Sequence, residues 1–318
     1  MNLARRTWLA RLAGLAFGAP ALAAVLAACA TAPGGSRDRI VDVRTGRDLQ
    51  PDELAHRMRQ ADVVLLGELH DNPHHHARRA ALLAALAGPR MVVAEHLPRG
   101  ASPRLPGSPA GDALRRALET AGFDARAWGW PLHEPLFAAV ARAGHRLQGG
   151  NIDRATARRI AREGRSAVPA ELRSLLEAAP LDAAARAGLE SELLRGHCGH
   201  LGPERMPGMV EAQRARDAAM AVTILAAIDA PRDASAGASD GPVLLLAGNG
   251  HVRLDHGVPQ LLRSVRAGLR LLSIGFLEPG TGETPGLPYD VAWITPAAER
   301  EDPCKAFAAP RPAQPRPN

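Results

Sequence analysis

Short apolar runs alternate with longer stretches of helical period along most of the chain. Val63–Leu66, Met91–Ala94 and Val243–Ala247 are runs of four or five residues rich in Val and Leu, the length and composition of buried strands. Ile40–Val43, Arg270–Gly275 and Tyr289–Ile294 read as further strands, and His145–Leu147 leads to a strand end at Gly149-Gly150-Asn151. Between them lie amphipathic stretches at Pro51–Gln60 and Pro73–Leu86, the second stopped by Gly88-Pro89. Strand 62–66, helix 73–86 and strand 90–95 follow one another at the spacing of a βαβ unit, which implies parallel pairing. Pro98–Gly111 holds four prolines and is a loop, and helices follow at 112–121 and 133–143. Thr156–Leu194 is rich in Ala, Glu and Arg and helical in pattern, broken at Pro169 and Pro180. A loop at Gly196–Met206 precedes a long helix at Pro207–Ile228, and 258–265 is a last helix. The pattern predicts an α/β fold: a mostly parallel central sheet with helices on both faces, one domain over 37–296, and a helical insertion at about 155–235. Residues 297–318 are Pro-rich and are predicted to be disordered.

The N-terminus follows a different rule. Arg5, Arg6 and Arg11 form a charged start, Leu12–Leu26 is apolar and small, and Leu26-Ala27-Ala28-Cys29 resembles a lipobox. The run is too short and Ala-rich for a membrane span and has no polar face for an interfacial helix. The reading is a lipoprotein signal at 1–28, lipidation of Cys29 and a flexible tether at 29–36, giving an anchored protein of the bacterial envelope. Ala30 in place of Asp resembles lipoproteins sent to the outer membrane. Arg5-Arg6-Thr7-Trp8-Leu9 loosely resembles a twin-arginine signal. Removal of the three signal arginines takes the formal charge of +6 to about +3. Lys305 is the only lysine, and no basic cluster is interleaved with aromatics, so nucleic acid is excluded as a partner. Of the two cysteines left after lipidation, Cys198 is read as a free or site-lining thiol ahead of a disulfide with Cys304.

The chemistry gathers where three strands end. After Val63–Leu66 come Gly67, Glu68 and His70; after Met91–Ala94 comes Glu95-His96; after Val243–Ala247 come Gly248 and His251. Asn72-Pro73 then reads as an N-cap and first helical residue, with His74, His75 and His76 in the first turn. In open α/β sheets, ligands bind outside the carboxyl ends of the strands. If the three strands are neighbours, Glu68, His70, Glu95 and His251 share one rim, a set of carboxylate and imidazole donors suited to a divalent metal. On the long helix, Gln213, Arg216 and Asp217 lie within about one turn and are expected to face the same cavity. Asp217 is a poor partner for the adjacent Arg216, so Glu68, Glu95 or a ligand carboxylate is expected to meet that arginine. Trp128 and Trp130 precede a helix and read as core packing ahead of a ligand wall.

Gly67-Glu68-Leu69-His70-Asp71-Asn72-Pro73 with His75-His76, then Glu95, His197-Cys198-Gly199, Glu211–Ala221 and Gly248-Asn249-Gly250-His251-Val252 together resemble the ChaN family of haem-binding iron-uptake lipoproteins. That family lies in the superfamily that includes Tiki and relatives of erythromycin esterase. The resemblance implies haem or iron as ligand, an outer-membrane receptor as partner and a homodimer as assembly. Two classes of function stay open. In the binding reading, an apolar slot takes haem, its propionates meet the helix N-terminus near Asn72 or Arg154 and Arg216, and His75, His76, Gln213 and Asp217 supply ligation or hydrogen bonds. At 3% aromatic, the chain would line such a slot with Leu, Met and Val. In the enzyme reading, Glu68, His70, Glu95 and His251 hold a divalent metal that activates water for hydrolysis. A metal-free envelope scaffold is the bland third. Tyr289, the only tyrosine, matches none of the motifs.

The anchor is directly testable. Cys29→Ser is expected to abolish labelling by a fatty-acid precursor and to release the protein from the membrane fraction. Wild-type retention of that variant on membranes would remove the lipid anchor from the account.

Overall fold

The structure, a computed structural model, describes residues 38–86, 88–107, 111–230, 241–280, 286–302 and 304–305. The signal segment, Cys29, the tether, all but the end of the loop at 235–241 and the tail beyond 305 lie outside the described residues. Among the described residues, no helix is long and apolar enough to cross a membrane.

Seven strands form one mixed sheet. In chain order they are β1 (Arg39–Asp42), β2 (Val63–Leu66), β3 (Met91–Pro98), β4 (Arg146–Asn151), β5 (Val243–Leu246), β6 (Leu271–Leu277) and β7 (Val291–Ile294). Their spatial order is β1-β7-β6-β2-β5-β3-β4. Among the described residues, only the β1–β7 pair of these strands is antiparallel. The strands that carry the polar motifs, β2, β5 and β3, are consecutive neighbours. Leu66 pairs with Leu246, and Leu246 with Ala94, so the three strand ends stand in one row.

Side-chain alternation along these strands feeds two cores. Val64, Leu66, Val92, Ala94, Leu244 and Leu246 face one side. There they meet α1 (Pro51–Gln60), α2 (Pro73–Ala85), α3 (Gly111–Thr120) and α4 (Glu134–Arg142). Val63, Leu65, Val93, Val243 and Leu245 face the other. That side is covered by α5 (Arg154–Glu163), α6 (Ala170–Ala178), α8 (Met206–Asp229) and α9 (Val258–Val265), with α7 (Ala183–Gly196) packed against α8. The insertion expected at 155–235 is therefore one whole helical layer. Its breaks fall where the prolines predict, with α6 starting after Pro169 and α7 starting after Pro180.

Two expectations need correcting. Cys198 and Cys304 form a disulfide with Cα atoms 5.5 Å apart, across a sequence separation of 106 residues that carried no geometric information. The segment from residue 297, expected to be disordered, is tied down as far as that bridge. Ala298 donates its N–H to Glu278, and Arg300 pairs with both Glu278 and Asp71. The chain after β7 thus passes the start of α2 at Arg300 and meets the loop after α7 at Cys304.

The two G-x-x-H segments lock into each other at their glycines. A Cβ on Gly67 would lie 2.2 Å from Asn249 Oδ1, and one on Gly248 would lie 2.9 Å from His70 Nε2. Asn249 cannot yield, because its side chain both donates to the Phe276 carbonyl and accepts the Phe276 N–H, at 2.6 and 3.1 Å. Gly67→Ala is expected to destabilise the fold by about 1–3 kcal/mol through overpacking. Urea denaturation measures this; an unchanged midpoint would mean the two segments are not in close contact.

Candidate functional site

Glu68 is the hub of the site. It leaves the end of β2, is 1% exposed, and is approached from four elements. Its Oε1 lies 2.7 Å from His70 Nδ1, 3.2 Å from His96 Nε2 and 3.5 Å from His133 Nε2. Its Oε2 faces the Arg79 guanidinium in an ion pair and lies 3.2 Å from His76 Nδ1. Arg79 and His76 come from α2, whose N-terminus is fixed by Asn72: the side chain accepts the His74 N–H at 2.8 Å and the His75 N–H at 3.4 Å. Burial of a guanidinium disfavours its charged form and pulls Arg79 down to about 9, with Glu95 acting in the opposite sense. Burial holds the imidazoles of His76, His96 and His133 neutral, His76 at about 4.

A second polar group sits beside the first. Glu95 is in β3, accepts the Gly248 N–H at 2.8 Å through Oε2, and faces His251 Nε2 at 3.3 Å through Oε1. Asp217, fully buried on α8, holds His251 Nδ1 at 2.6 Å. Burial alone would lower the His251 pKa; the two carboxylates outweigh it and raise it to about 10. Glu95 is held well below its usual range because the His251 imidazolium overrides the desolvation that would raise it.

Both groups open onto one cavity of about 1050 Å³, at the upper end of the ~300–1,000 Å³ usual for small-molecule and cofactor sites. Glu68, His70, Glu95, Gln213, Arg216 and His251 all line it, so the shared rim expected from three strand ends is present. His70 is the open member of the first group, with its side chain 45% exposed. Its ring lies edge-on to Trp128, centroids 5.0 Å apart. Arg154 and Arg158 from α5 lie on the wall, Arg154 exposed and 3.6 Å from the Asp124 carboxylate. Arg216 is half-buried and, among the described residues, has no carboxylate partner.

Several assignments change. The four side chains whose donor atoms lie within 4.8 Å of one another are Glu68, His70, His96 and His133, not Glu68, His70, Glu95 and His251. His251 has a carboxylate on each ring nitrogen and therefore no lone pair to offer, and Glu95 is engaged with it. Asp217 does not face the cavity; it positions His251 from behind. His75 and His76 are fully buried beneath the rim and do not line the cavity. His75 Nδ1 accepts the Leu69 N–H at 2.9 Å, and His76 Nε2 lies 3.0 Å from the His70 carbonyl, so both hold the loop that presents His70. The buried arginine with an acidic partner is Arg79, not Arg216. Trp128 both packs on the core and walls the cavity. Tyr289 is buried under Gly275 with its hydroxyl 3.4 Å from the Asn249 carbonyl, away from the cavity lining. His197 and Gly196 do line the cavity, next to the disulfide at Cys198.

Fold and site together define an α/β protein with a carboxylate–histidine cavity at the carboxyl ends of adjacent parallel strands. The chain belongs to the family described as haem-binding uptake, Tiki superfamily, ChaN, which matches residues 54–262. A solved structure described as cofacial heme binding to ChaN of Campylobacter jejuni is similar in fold. Its TM-score is 0.60 at 19% identity, covering 81% of this chain and 96% of that one. No curated protein matches this chain.

The His251 ion triad makes stability depend on pH. The folded pKa of about 10 lies above the ordinary 6.5, so the stabilisation is complete below about pH 6.5 and is lost as pH rises through about 10. The contribution is on the order of 5 kcal/mol at most. His251→Gln, which leaves two buried carboxylates unpaired, is expected to start roughly 3 kcal/mol less stable near pH 6 and to lose less over that window. Parallel urea melts at pH 6 and 9.5 check it; equal losses in both proteins would show that His251 is not the titrating group.

Proposed function

We propose that this protein binds haem in the cavity, as a lipid-anchored envelope protein of iron acquisition. The observation that carries the reading is His70. Its Nδ1 is fixed by Glu68 at 2.7 Å, while Nε2 has no hydrogen-bond partner among the described residues and stands in the cavity. A histidine whose Nδ1–H donates to a carboxylate carries its lone pair on Nε2 and is oriented and made more basic by that partner, the arrangement common to iron and zinc imidazole ligands. The rest of the lining fits the same group. Trp128, Ile152 and Met209 offer apolar wall, and Arg154, Arg158 and Arg216 offer guanidinium groups for propionates. Bound haem would supply the iron, and His70 is the residue assigned to meet it. The family description and the Campylobacter relative support the same ligand class. The envelope location rests on the signal and lipobox pattern of residues 1–29.

A metal-dependent hydrolase acting through Glu68, His70, Glu95 and His251 has less support, because the His251 imidazolium is already committed to Glu95 and Asp217.

Haem titration of the purified soluble domain is expected to give a saturable Soret band. His70→Ala should shift its position and weaken binding by roughly tenfold or more. Arg216→Ala, at a half-exposed position, should cost about 1 kcal/mol without moving the band. A wild-type spectrum and affinity in His70→Ala would remove His70 as the iron ligand, and absence of any saturable band in the wild type would remove haem itself.

A further inference from the structure

Beneath the cavity floor the molecule gathers more ligating capacity than one exposed imidazole needs. Glu68, His70, His96 and His133 come from the end of β2, the turn after it, β3 and the N-cap position of α4, and each brings one donor atom within 4.8 Å of the others. Glu68, His96 and His133 are at most 3% exposed; Glu68, His70 and His96 line the cavity, and His133 lies behind them. His133 has no hydrogen-bond partner at either ring nitrogen, and His96 has none at Nδ1. Leaving a buried polar atom unpartnered is costly, and the large majority of such atoms in folded proteins are satisfied. One of them, His133 Nε2, lies 3.5 Å from Glu68 Oε1, so this carboxylate and its rings mark a place with a use. Packing of the imidazoles on Phe137 and Trp128 explains why the rings are there, but not why their nitrogens converge on Glu68 Oε1.

Oε1 is engaged by the rings of this cluster alone. Arg79 and His76 lie at the other carboxylate oxygen, which leaves Oε1 turned toward the three rings. That is the role outer groups play around a metal-ligating carboxylate. Three imidazoles and one carboxylate oxygen favour borderline first-row transition ions over Mg²⁺ and Ca²⁺, which prefer all-oxygen sets, and over Cu⁺, which prefers thiolates.

We propose that Glu68, His70, His96 and His133 form a binding site for a divalent first-row transition-metal ion, separate from the Glu95–His251–Asp217 triad. The site uses His70 through Nδ1, the nitrogen nearest Glu68, whereas the haem reading uses Nε2. A neutral imidazole has one lone pair, so the ion and the haem iron would compete for His70.

Cobalt in the haem-free, chelator-treated protein tests this independently of haem. One Co²⁺ per chain is expected, with the strong visible ligand-field bands of a four-coordinate ion. His96→Ala and His133→Ala should each weaken uptake by roughly tenfold or more, and His251→Gln should leave it unchanged. Circular dichroism checks that each variant is folded. Where a variant does not fold, anomalous scattering at the cobalt edge from crystals of the wild-type protein locates the ion directly. An ion among the four donors supports the proposal. No uptake, uptake only at exposed histidines such as His56 or His200, or uptake lost in His251→Gln but kept in His133→Ala would overturn it. Haem binding that persists in a protein taking up no cobalt would leave the haem reading standing while this one falls.

Discussion

A carboxylate sealed inside an α/β protein cannot stay charged unless its surroundings neutralise it, and the placement of Glu68 sets much of what surrounds it. Arg79 supplies the counter-charge from α2 and is itself fully buried, so each charge depends on the other as its counter-ion. That requirement fixes the angle of α2 against the sheet. It explains the Asn72 N-cap, the Pro73 start and the two buried histidines of the first turn, since together they bring Arg79 under the strand end. The same carboxylate then orients His70, so the exposed chemistry of the cavity rests on an ion pair that no solvent reaches.

The neighbouring triad solves the same problem in a different way. Glu95 and Asp217 share one imidazolium at His251, two negative charges against one positive. The Gly248 N–H on Glu95 supplies part of the balance, and the half-buried Arg216 on the wall supplies positive potential nearby. Two adjacent clusters thus divide the work. One presents neutral imidazole to the cavity, and the other stabilises the join between α8 and the sheet. Chemical similarity of the residues concealed that division, because Glu and His occur in both.

What could be read from sequence was whatever strand period and strand-end position control. The apolar runs at 63–66, 91–94 and 243–247 identified β2, β3 and β5, and the paired motifs identified the rim they share. His96 escaped because β3 was expected to end at Glu95. It continues to Pro98, and alternation places His96 on the opposite face from Glu95, toward Glu68. His133 carried no local signal: it precedes a helix 63 residues after His70 in sequence, and only the fold brings it to Glu68. Arg79 had a signal that went unused, an arginine on the apolar face of α2 beside His76, Leu82 and Leu83. Asp217 was placed on the correct helix, but its partner could not be chosen without knowing how α8 rotates against β5. The pairing of Cys198 with Cys304 depends on a loop too long for spacing to inform.

That disulfide has a bearing on how the protein is made. The wall beside His197 is secured by a cysteine that emerges 106 residues after its partner, and at ~5–20 residues/s of synthesis the interval is roughly 5–20 s. During it, α8, β5, α9, β6 and β7 must all be synthesised, and the sheet that carries the cavity floor is completed before the wall can be fixed. The mouth of the site is thus the last part of the molecule to acquire its covalent form, and it acquires it only where an oxidant is at hand. A chain held in a reducing environment would keep its floor of histidines and carboxylates while its rim stayed untethered.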